Sequence, residues 1–382
     1  MKTLSNLFEQ MVDPENMINI AYVAMKARGK GAYMRRYYEQ GKIPPKLIQL
    51  RNELIKGEAI VPKPRKLKDI YEASADKHRE ILPPSDEEHI VHHLICNVFM
   101  PILSKGMYEY TVASIPGRGG YYGKKYMERW IKSFGDTRMY VLKLDIHHFF
   151  QTIDRRILYY KLSRHSKDIR FNIMLQRVIW HDSPCIMQDI MPENNVGIPI
   201  GFYTSQWFAN FYLQDFDHYI KQDLKIEYYM RYMDDMVLMS PDISKLHEAL
   251  WAIQKYLDRE LGLKLKDSKT QLFQFSYIDE NTGKEKGQPI DFMGFKFHRN
   301  RTTLRKSTLK RMRTKANKIH KQMKLHKRIN WYSATQAISL MGRTNGTDTY
   351  NYTLRYLLTK KDLSILKSIV SEHSKRLNKR RS

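Results

Sequence analysis

The run Tyr228-Tyr229-Met230-Arg231-Tyr232-Met233-Asp234-Asp235-Met236-Val237-Leu238-Met239 constrains this chain more than any other stretch. Two aspartates sit side by side between apolar, aromatic and Met-rich flanks. Both flanks read as short strands, with the acidic pair at the turn between them. Adjacent carboxylates repel each other, and a buried charge must be paired or metal-bound. A divalent cation meets both demands. Asp oxygens are hard ligands that suit Mg²⁺, and two such ions clamp the attacking and leaving oxygens of a phosphoryl transfer. An ordinary hairpin turn also favours Asp, so the flanks, not the pair alone, carry the reading.

Composition points the same way. Lys and Arg total 66 against 40 Asp and Glu, a net charge of +26. A balance that basic fits a polyanionic partner, with a generic basic surface as the plain alternative. The 25 Tyr and 15 Phe argue against a simple charged tail, because aromatics stack on bases as well as build core. The 382 residues suffice for one large or two to three ordinary domains, and 42% hydrophobic residues allow a sizeable core. Only Cys96 and Cys185 occur, far apart, so neither a disulfide framework nor a Cys-based zinc site follows. A reducing cytoplasm is the default expectation. The N-terminus lacks an apolar signal region, and no apolar run is long enough to span a bilayer.

Residues 1–60 read as two basic helices, the first through Leu4, Leu7, Met11, Met17, Ile20, Ala21 and Met25, the second after Pro44-Pro45. Lys77 and Arg79 alternate and so share one face of a strand. Paired cations of that kind suit a triphosphate, and a solvated strand face is the plain alternative. A helix is expected over Asp86–Phe99 with Ile90, Leu94 and Val98 on one face. Its His89, His92 and His93 stand near metal-ligand spacing, but no Cys or suitably spaced acid accompanies them. The glycine-rich Ser114–Lys125 brings Arg118, Lys124 and Lys125 to a loop that fits nucleic acid better than a nucleotide P-loop, since the Gly-Lys-Ser/Thr ending is missing.

A second carboxylate stands where the apolar strand Met139–Leu144 runs into Asp145. Asp145 and Asp234 are distant in the chain, so folding must bring them together. Gly197-Ile198-Pro199-Ile200-Gly201 then feeds a helix that Thr204 or Ser205 can cap, with Phe208, Phe211, Tyr212 and Phe216 on its apolar face. Such a helix start exposes backbone N–H groups that favour an anion or a base pair. Lys245–Leu261 is amphipathic. A hairpin with a polar turn near Asn281-Thr282-Gly283 and a returning strand Ile290–Phe297 follow. From about 299 a basic helical stretch includes Lys310, Arg311, Arg313, Lys327 and Arg328, and Lys379-Arg380-Arg381 among the final residues are basic again. A charge run is usually a solvated face. One this long, followed by Tyr332, Tyr350, Tyr352 and Tyr356, better fits a grip on a phosphate backbone.

Taken in order, these blocks resemble the motif series of bacterial reverse transcriptases, over about residues 65–300. Leu144-Asp145-Ile146-His147-His148-Phe149-Phe150 is similar to the first catalytic motif, and Tyr232-Met233-Asp234-Asp235 to the catalytic hairpin. The resemblance implies Asp145, Asp234 and Asp235 as catalytic carboxylates. It implies Asp145, Ile146, Asp234 and Asp235 as the metal-binding positions for two Mg²⁺, with Mn²⁺ as an alternative ion. Lys77, Arg79, Phe150, Ile200, Gly201 and Lys269 become nucleotide-binding candidates, Phe150 as the steric gate against a ribose 2′-OH. Phe292-Met293-Gly294-Phe295 resembles the primer grip, and Arg118, Lys124, Lys125, Lys310, Arg311 and Arg313 are nucleic-acid candidates.

The implied fold is α+β, a right-hand polymerase. Residues 1–60 form a helical extension, 61–138 the fingers, 139–298 the palm with a finger insertion near 155–196, and 299–382 a basic helical thumb. The palm is expected to be an antiparallel sheet backed by helices. The implied function is RNA-directed DNA synthesis on an RNA template, expected to be a structured non-coding RNA, with a DNA primer or product and dNTPs. An accessory protein or a second copy of the chain are further candidate partners. The Gly197–Gly201 run with Thr204-Ser205-Gln206 is similar to diversity-generating retroelement enzymes, whose Asn-Leu is replaced here by Phe202-Tyr203. That clade also holds antiphage-defence relatives. The absence of a Val-Thr-Gly triplet counts against a retron enzyme, and the length against a maturase with an added endonuclease. Among other classes, an RNA-dependent RNA polymerase also pairs aspartates at a hairpin, and Phe150 argues against it. A silent RNA-binding scaffold would not need three carboxylates. A two-metal nuclease would need a motif that is missing.

Overall fold

The computed structural model describes residues 5–57, 67–72, 77–182, 195–325 and 329–379; Leu4, Cys185, Lys327, Arg328, Arg380 and Arg381 lie outside them, as do the side chains of Lys77 and Lys379. In chain order the elements begin with four helices, α1 (Leu7–Val12), α2 (Pro14–Ala27), α3 (Gly31–Glu39) and α4 (Pro45–Lys56), where two were expected. Prolines at the starts of α2 and α4 pre-set the first turn, and Gly57 at φ 73° ends α4. The strands β1 (Lys68–Glu72) and β2 (Lys77–Ile81) pair antiparallel, and α5 spans Asp86–Leu103. A capping box between Ser85 and Glu88 starts α5. Next come α6 (Gly120–Ser133), β3 (Tyr140–Asp145), the single turn α7 (Phe149–Thr152), α8 (Arg155–Ser163), α9 (Ile169–Ile179), α10 (Tyr203–Tyr212) and α11 (Gln214–Gln222). The hairpin β4 (Tyr228–Tyr232) and β5 (Asp235–Ser240) leads to α12 (Ile243–Leu261), β6 (Gln271–Gln274), β7 (Tyr277–Ile278) and β8 (Glu285–Lys286). The chain continues through β9 (Ile290–Phe292), β10 (Phe295–Phe297), β11 (Thr302–Leu304), α13 (Lys306–Lys324), α14 (Trp331–Gly342), α15 (Thr349–Tyr356) and α16 (Lys360–Lys379).

The fold class is α+β, as expected. The chain divides into two compact units, one of residues 1–119, 142–238 and 243–271, the other of 120–141, 239–242 and 272–382. A four-stranded sheet has the order β4-β5-β3-β6. Among the described residues no helix is long and apolar enough to cross a membrane.

In the first unit the core forms on the apolar sides of the sheet strands and helices: Val237, Leu238, Phe208, Phe211, Tyr212, Phe216, Ile253 and Leu257 are all buried. The helix after Gly201 does not use the caps expected of it. Phe202 is its N-cap without a side-chain bond, and Thr204 and Ser205 lie buried inside the first turns. The Thr204 hydroxyl is taken instead by His92 Nδ1 at 2.9 Å, which ties α10 to α5. His93 on α5 stacks on Tyr203 with ring centroids 3.8 Å apart.

In the second unit, Ile290–Phe297 was expected as one strand and is a hairpin. Met293 and Gly294, at φ 53° and 88°, turn β9 onto β10, a backbone that a two-residue turn of this hand requires. A short strand, β11, precedes the basic helix and pairs with β10. In α13, Thr308, Met312, Ala316 and Ile319 form the buried stripe, which leaves Lys310, Arg313 and Lys321 exposed. Arg311 is half-buried.

Candidate active site

The acidic pair does not share the hairpin turn. Met233 and Asp234 form it, Met233 in the left-handed region at φ 59°, and Asp235 opens β5. Asp145 ends β3. The two strand ends meet through the backbone, where Ile146 N–H donates to the Asp234 carbonyl at 3.2 Å. The Ile146 side chain is buried, so only its backbone faces the site. Beyond Asp145 the chain borrows a partner from the segment after α12. Lys266 N–H donates to the Asp145 carbonyl and His147 N–H to the Lys264 carbonyl, each at 2.8 Å. This segment leads to the exposed Lys269 in a short 3₁₀ turn over Asp267–Lys269.

Asp235 faces Lys143 Nζ at 3.6 Å, with side-chain exposures of 24% and 13%. Clustered carboxylates repel one another, and a cation at this distance offsets part of that repulsion. Among the described residues no three His, Cys, Asp or Glu form a group that could hold a metal ion on their own. Asp145 and Asp234 still fit a divalent cation by donor chemistry: both are hard oxygen ligands, half-buried, on strand ends joined by a hydrogen bond.

Backbone hydrogen bonds link three of the segments that carry nucleotide candidates. Leu82 N–H, one residue beyond β2, donates to the Ile200 carbonyl at 2.9 Å, and Ile198 N–H to the Phe150 carbonyl at 2.8 Å. Gly201, at φ 119°, leaves no room for a side chain, because a Cβ would stand 2.9 Å from the Leu82 carbonyl oxygen. Strand β2, the α7 turn and the 197–201 loop thus form one wall. Arg79 is half-buried on β2, the strand that Lys77 opens. Phe149 is buried and Phe150 half-buried. The loop is anchored from behind by Arg155, which is buried. Its Nε donates to the Gly197 carbonyl at 2.5 Å, and its fork grips Asp182 at 2.6 and 3.1 Å. Burial pushes the Asp182 carboxyl up, but Arg155 outweighs it and holds it below its ordinary value.

The glycine-rich segment differs from the loop expected of it, since residues from Gly120 onward are α6. Arg118 donates to the carbonyls of Tyr108 and Thr111 at 2.6 and 3.0 Å, so one of its nitrogens serves the local fold. Lys124 is buried and paired with Glu128 at 2.9 Å, turned away from solvent, while Lys125 is exposed. In the β9–β10 hairpin Phe292 and Phe295 are buried and Met293 and Gly294 form the half-exposed turn.

Sequence reasoning missed the network behind the hairpin. Arg231 and Asp217 are both 0% exposed, and Arg231 Nε and Nη2 reach Asp217 at 2.7 and 2.5 Å. Tyr229 donates its hydroxyl to Asp217 at 2.6 Å; burial, then the charge of Asp217, push that phenol well above its ordinary value, so it stays a donor. A cation inside the apolar run of β4 was the available signal, because a buried charge requires a partner.

Residues 125–297 match the reverse transcriptase (RNA-dependent DNA polymerase) family. The chain is 22% identical over 225 residues to Protein YkfC of Escherichia coli (strain K12), covering 57% of this chain and 58% of that protein. It therefore spans little more than half the length of that curated relative. Among solved structures it is similar to telomerase from Candida albicans in complex with a TWJ fragment of telomeric RNA, at TM-score 0.46 and 13% identity, over 82% of this chain and 59% of that one. Apo telomerase from Candida tropicalis, truncated from its C-terminal domain, aligns at TM-score 0.43 and 11% identity, over 63% of this chain and 55% of that one.

Proposed function

We propose, from the premise that this chain carries a reverse transcriptase domain, that it copies an RNA template into DNA, with Asp145 and Asp234 as the principal metal-binding carboxylates. The observation that carries this reading is the junction of the β3 and β4–β5 strand ends, where the Ile146 N–H meets the Asp234 carbonyl at 3.2 Å. In this reading two carboxylates from distant parts of the chain work with the residues proposed to hold the nucleotide. Two Mg²⁺, or Mn²⁺, bound there would activate the primer 3′-OH and neutralise the triphosphate. Asp235 supports the pair and keeps Lys143 engaged. Lys77 and Arg79 hold the triphosphate, with Lys269 on the leaving-group side. Phe150 closes on the sugar, and the backbone at Ile200 and Gly201 lies along the nucleotide.

In the right-hand reading, residues 61–138 are fingers, 139–298 palm and 299–382 thumb. The hairpin Phe292–Phe295 grips the primer, and Lys125, Lys310 and Arg313 lie along the phosphate backbone. Diversity-generating retroelements and antiphage defence are the settings that the 197–201 run supports, with a structured RNA as template. The sparse cysteines fit a cytoplasmic enzyme.

The test is primer extension on an RNA template with dNTPs and Mg²⁺. Asp145→Asn and Asp234→Asn each keep the side-chain shape and remove a ligand charge. Both are expected to abolish incorporation with circular dichroism and melting unchanged. Wild-type activity in either variant would remove the site assignment.

A further inference from the structure

A buried ion pair that serves only to join β4 to α11 needs two nitrogens of Arg231, and Nε and Nη2 supply them to Asp217. The third nitrogen does something else. Nη1 reaches forward to the Met233 carbonyl at 3.0 Å and sideways to Asn210 Oδ1 at 3.0 Å. Met233 is the residue whose φ of 59° makes the turn, a conformation that a side chain other than glycine resists. Its carbonyl belongs to the peptide that continues into Asp234. The origin of the lever is fixed as well: Arg231 N–H donates to the Tyr110 carbonyl at 3.0 Å, and Val112 N–H donates to the Arg231 carbonyl at 2.9 Å. Asp217 is held from two further sides by Tyr229 and by Thr111, the latter at 2.8 Å.

We propose that Arg231 is a positioning residue for Asp234: anchored by Asp217, its guanidinium fixes the strained Met233 turn so that the Asp234 carboxylate stands ready beside Asp145 for a divalent cation. The role rests on the polymerase reading for its chemistry. Its geometry is independent of it. Arg alone among cations can do this, because its planar fork serves a carboxylate and a carbonyl at once, whereas a Lys ammonium on a shorter reach satisfies Asp217 only.

The experiment compares Arg231→Lys, the apolar replacement Arg231→Met/Asp217→Leu, and Tyr229→Phe, which removes one bond to Asp217 without touching the turn. Each is read by melting temperature, by Mn²⁺ binding followed through the electron paramagnetic resonance signal of the free ion, by hydrogen exchange over residues 232–236, and by kcat and KM for dNTP. Arg231→Lys and the double variant are expected to weaken Mn²⁺ binding at least tenfold, speed exchange in the turn, and lower kcat tenfold or more with KM within twofold. Tyr229→Phe is expected to lose melting temperature while Mn²⁺ binding, turn exchange and kcat stay within twofold. Wild-type Mn²⁺ binding and turn exchange in either Arg231 variant overturn the proposal, as does an equal loss in Tyr229→Phe. Failure of both Arg231 variants to fold assigns the residue to the fold alone and overturns the proposal too. A wild-type protein that incorporates no dNTP sinks the polymerase reading instead, and the exchange comparison still decides the role of Arg231.

Discussion

Lys143 and Asp235 form an ion pair at 3.6 Å between neighbouring strands, both side chains largely withdrawn from water. Lys143 stands two residues before Asp145, on the same side of β3. Asp235→Asn leaves this cation facing a neutral amide. It is expected to cost roughly 1–3 kcal/mol, below the figure for a fully buried pair because both groups keep some solvent. Adding Lys143→Met should return most of that loss. Thermal unfolding of the four proteins in the cycle gives the coupling. A value indistinguishable from zero would make the pair an incidental contact.

The gate prediction follows from the split between Phe149 and Phe150. Phe149 is 2% exposed, so Phe149→Ala should act as a core truncation costing roughly 3–5 kcal/mol. Phe150→Ala should leave melting close to wild type and raise the rNTP/dNTP incorporation ratio. A relaxed sugar preference in Phe149→Ala alone would put the gate one residue earlier.

On α13 the exposed Lys310, Arg313 and Lys321 lie opposite or flanking the buried stripe. Replacing all three by Gln should lower affinity for an RNA–DNA duplex and reduce the slope of log K against log salt by about 2 to 3, near 0.9 per phosphate contact. An unchanged slope would identify this face as merely solvated.

The α5–α10 contact should weaken in acid. Burial lowers the His93 pKa from its ordinary 6.5 to about 4, with His89 and Arg28 adding repulsion, while Asp86 faces His89 and pairs with Arg28. A base whose folded pKa is depressed is protonated first in the unfolded chain. Stability is therefore full above about pH 6.5 and falls as pH drops from there toward 4. His93→Phe, which retains the stack on Tyr203, should flatten the melting curve between pH 6.5 and 4. Parallel curves for the two proteins would remove His93 as the cause.

Much of the fold was written in local pattern. The β4–β5 hairpin announced itself because its flanks are apolar on both sides and its turn is polar. The amphipathic α12 and the α5 helix did so by spacing. The β9–β10 turn was hidden, since Met293 is apolar and one glycine in a strand reads as a bulge or a close approach. The burial of Lys124 was hidden because its glycine-rich surroundings read as a loop, where the chain forms a helix with Glu128 one turn later as the partner. Arg231 was out of reach for a different reason: its counter-charge sits 14 residues back, on another element. Thr204 looked like a cap until His92, from 112 residues away, claimed its hydroxyl.

The backbone bonds that join Asp145 and Ile146 to Asp234 and Lys266 also set a clock on synthesis. A ribosome adding about 5–20 residues per second needs roughly 6 to 24 seconds to travel from the first of these positions to the last. For the first part of that interval neither neighbour of β3 has been made, and after residue 240 only β6 is still missing. The two contacts at the end of β3 therefore become available at different times, and an unpaired apolar strand left waiting is a template for wrong pairing.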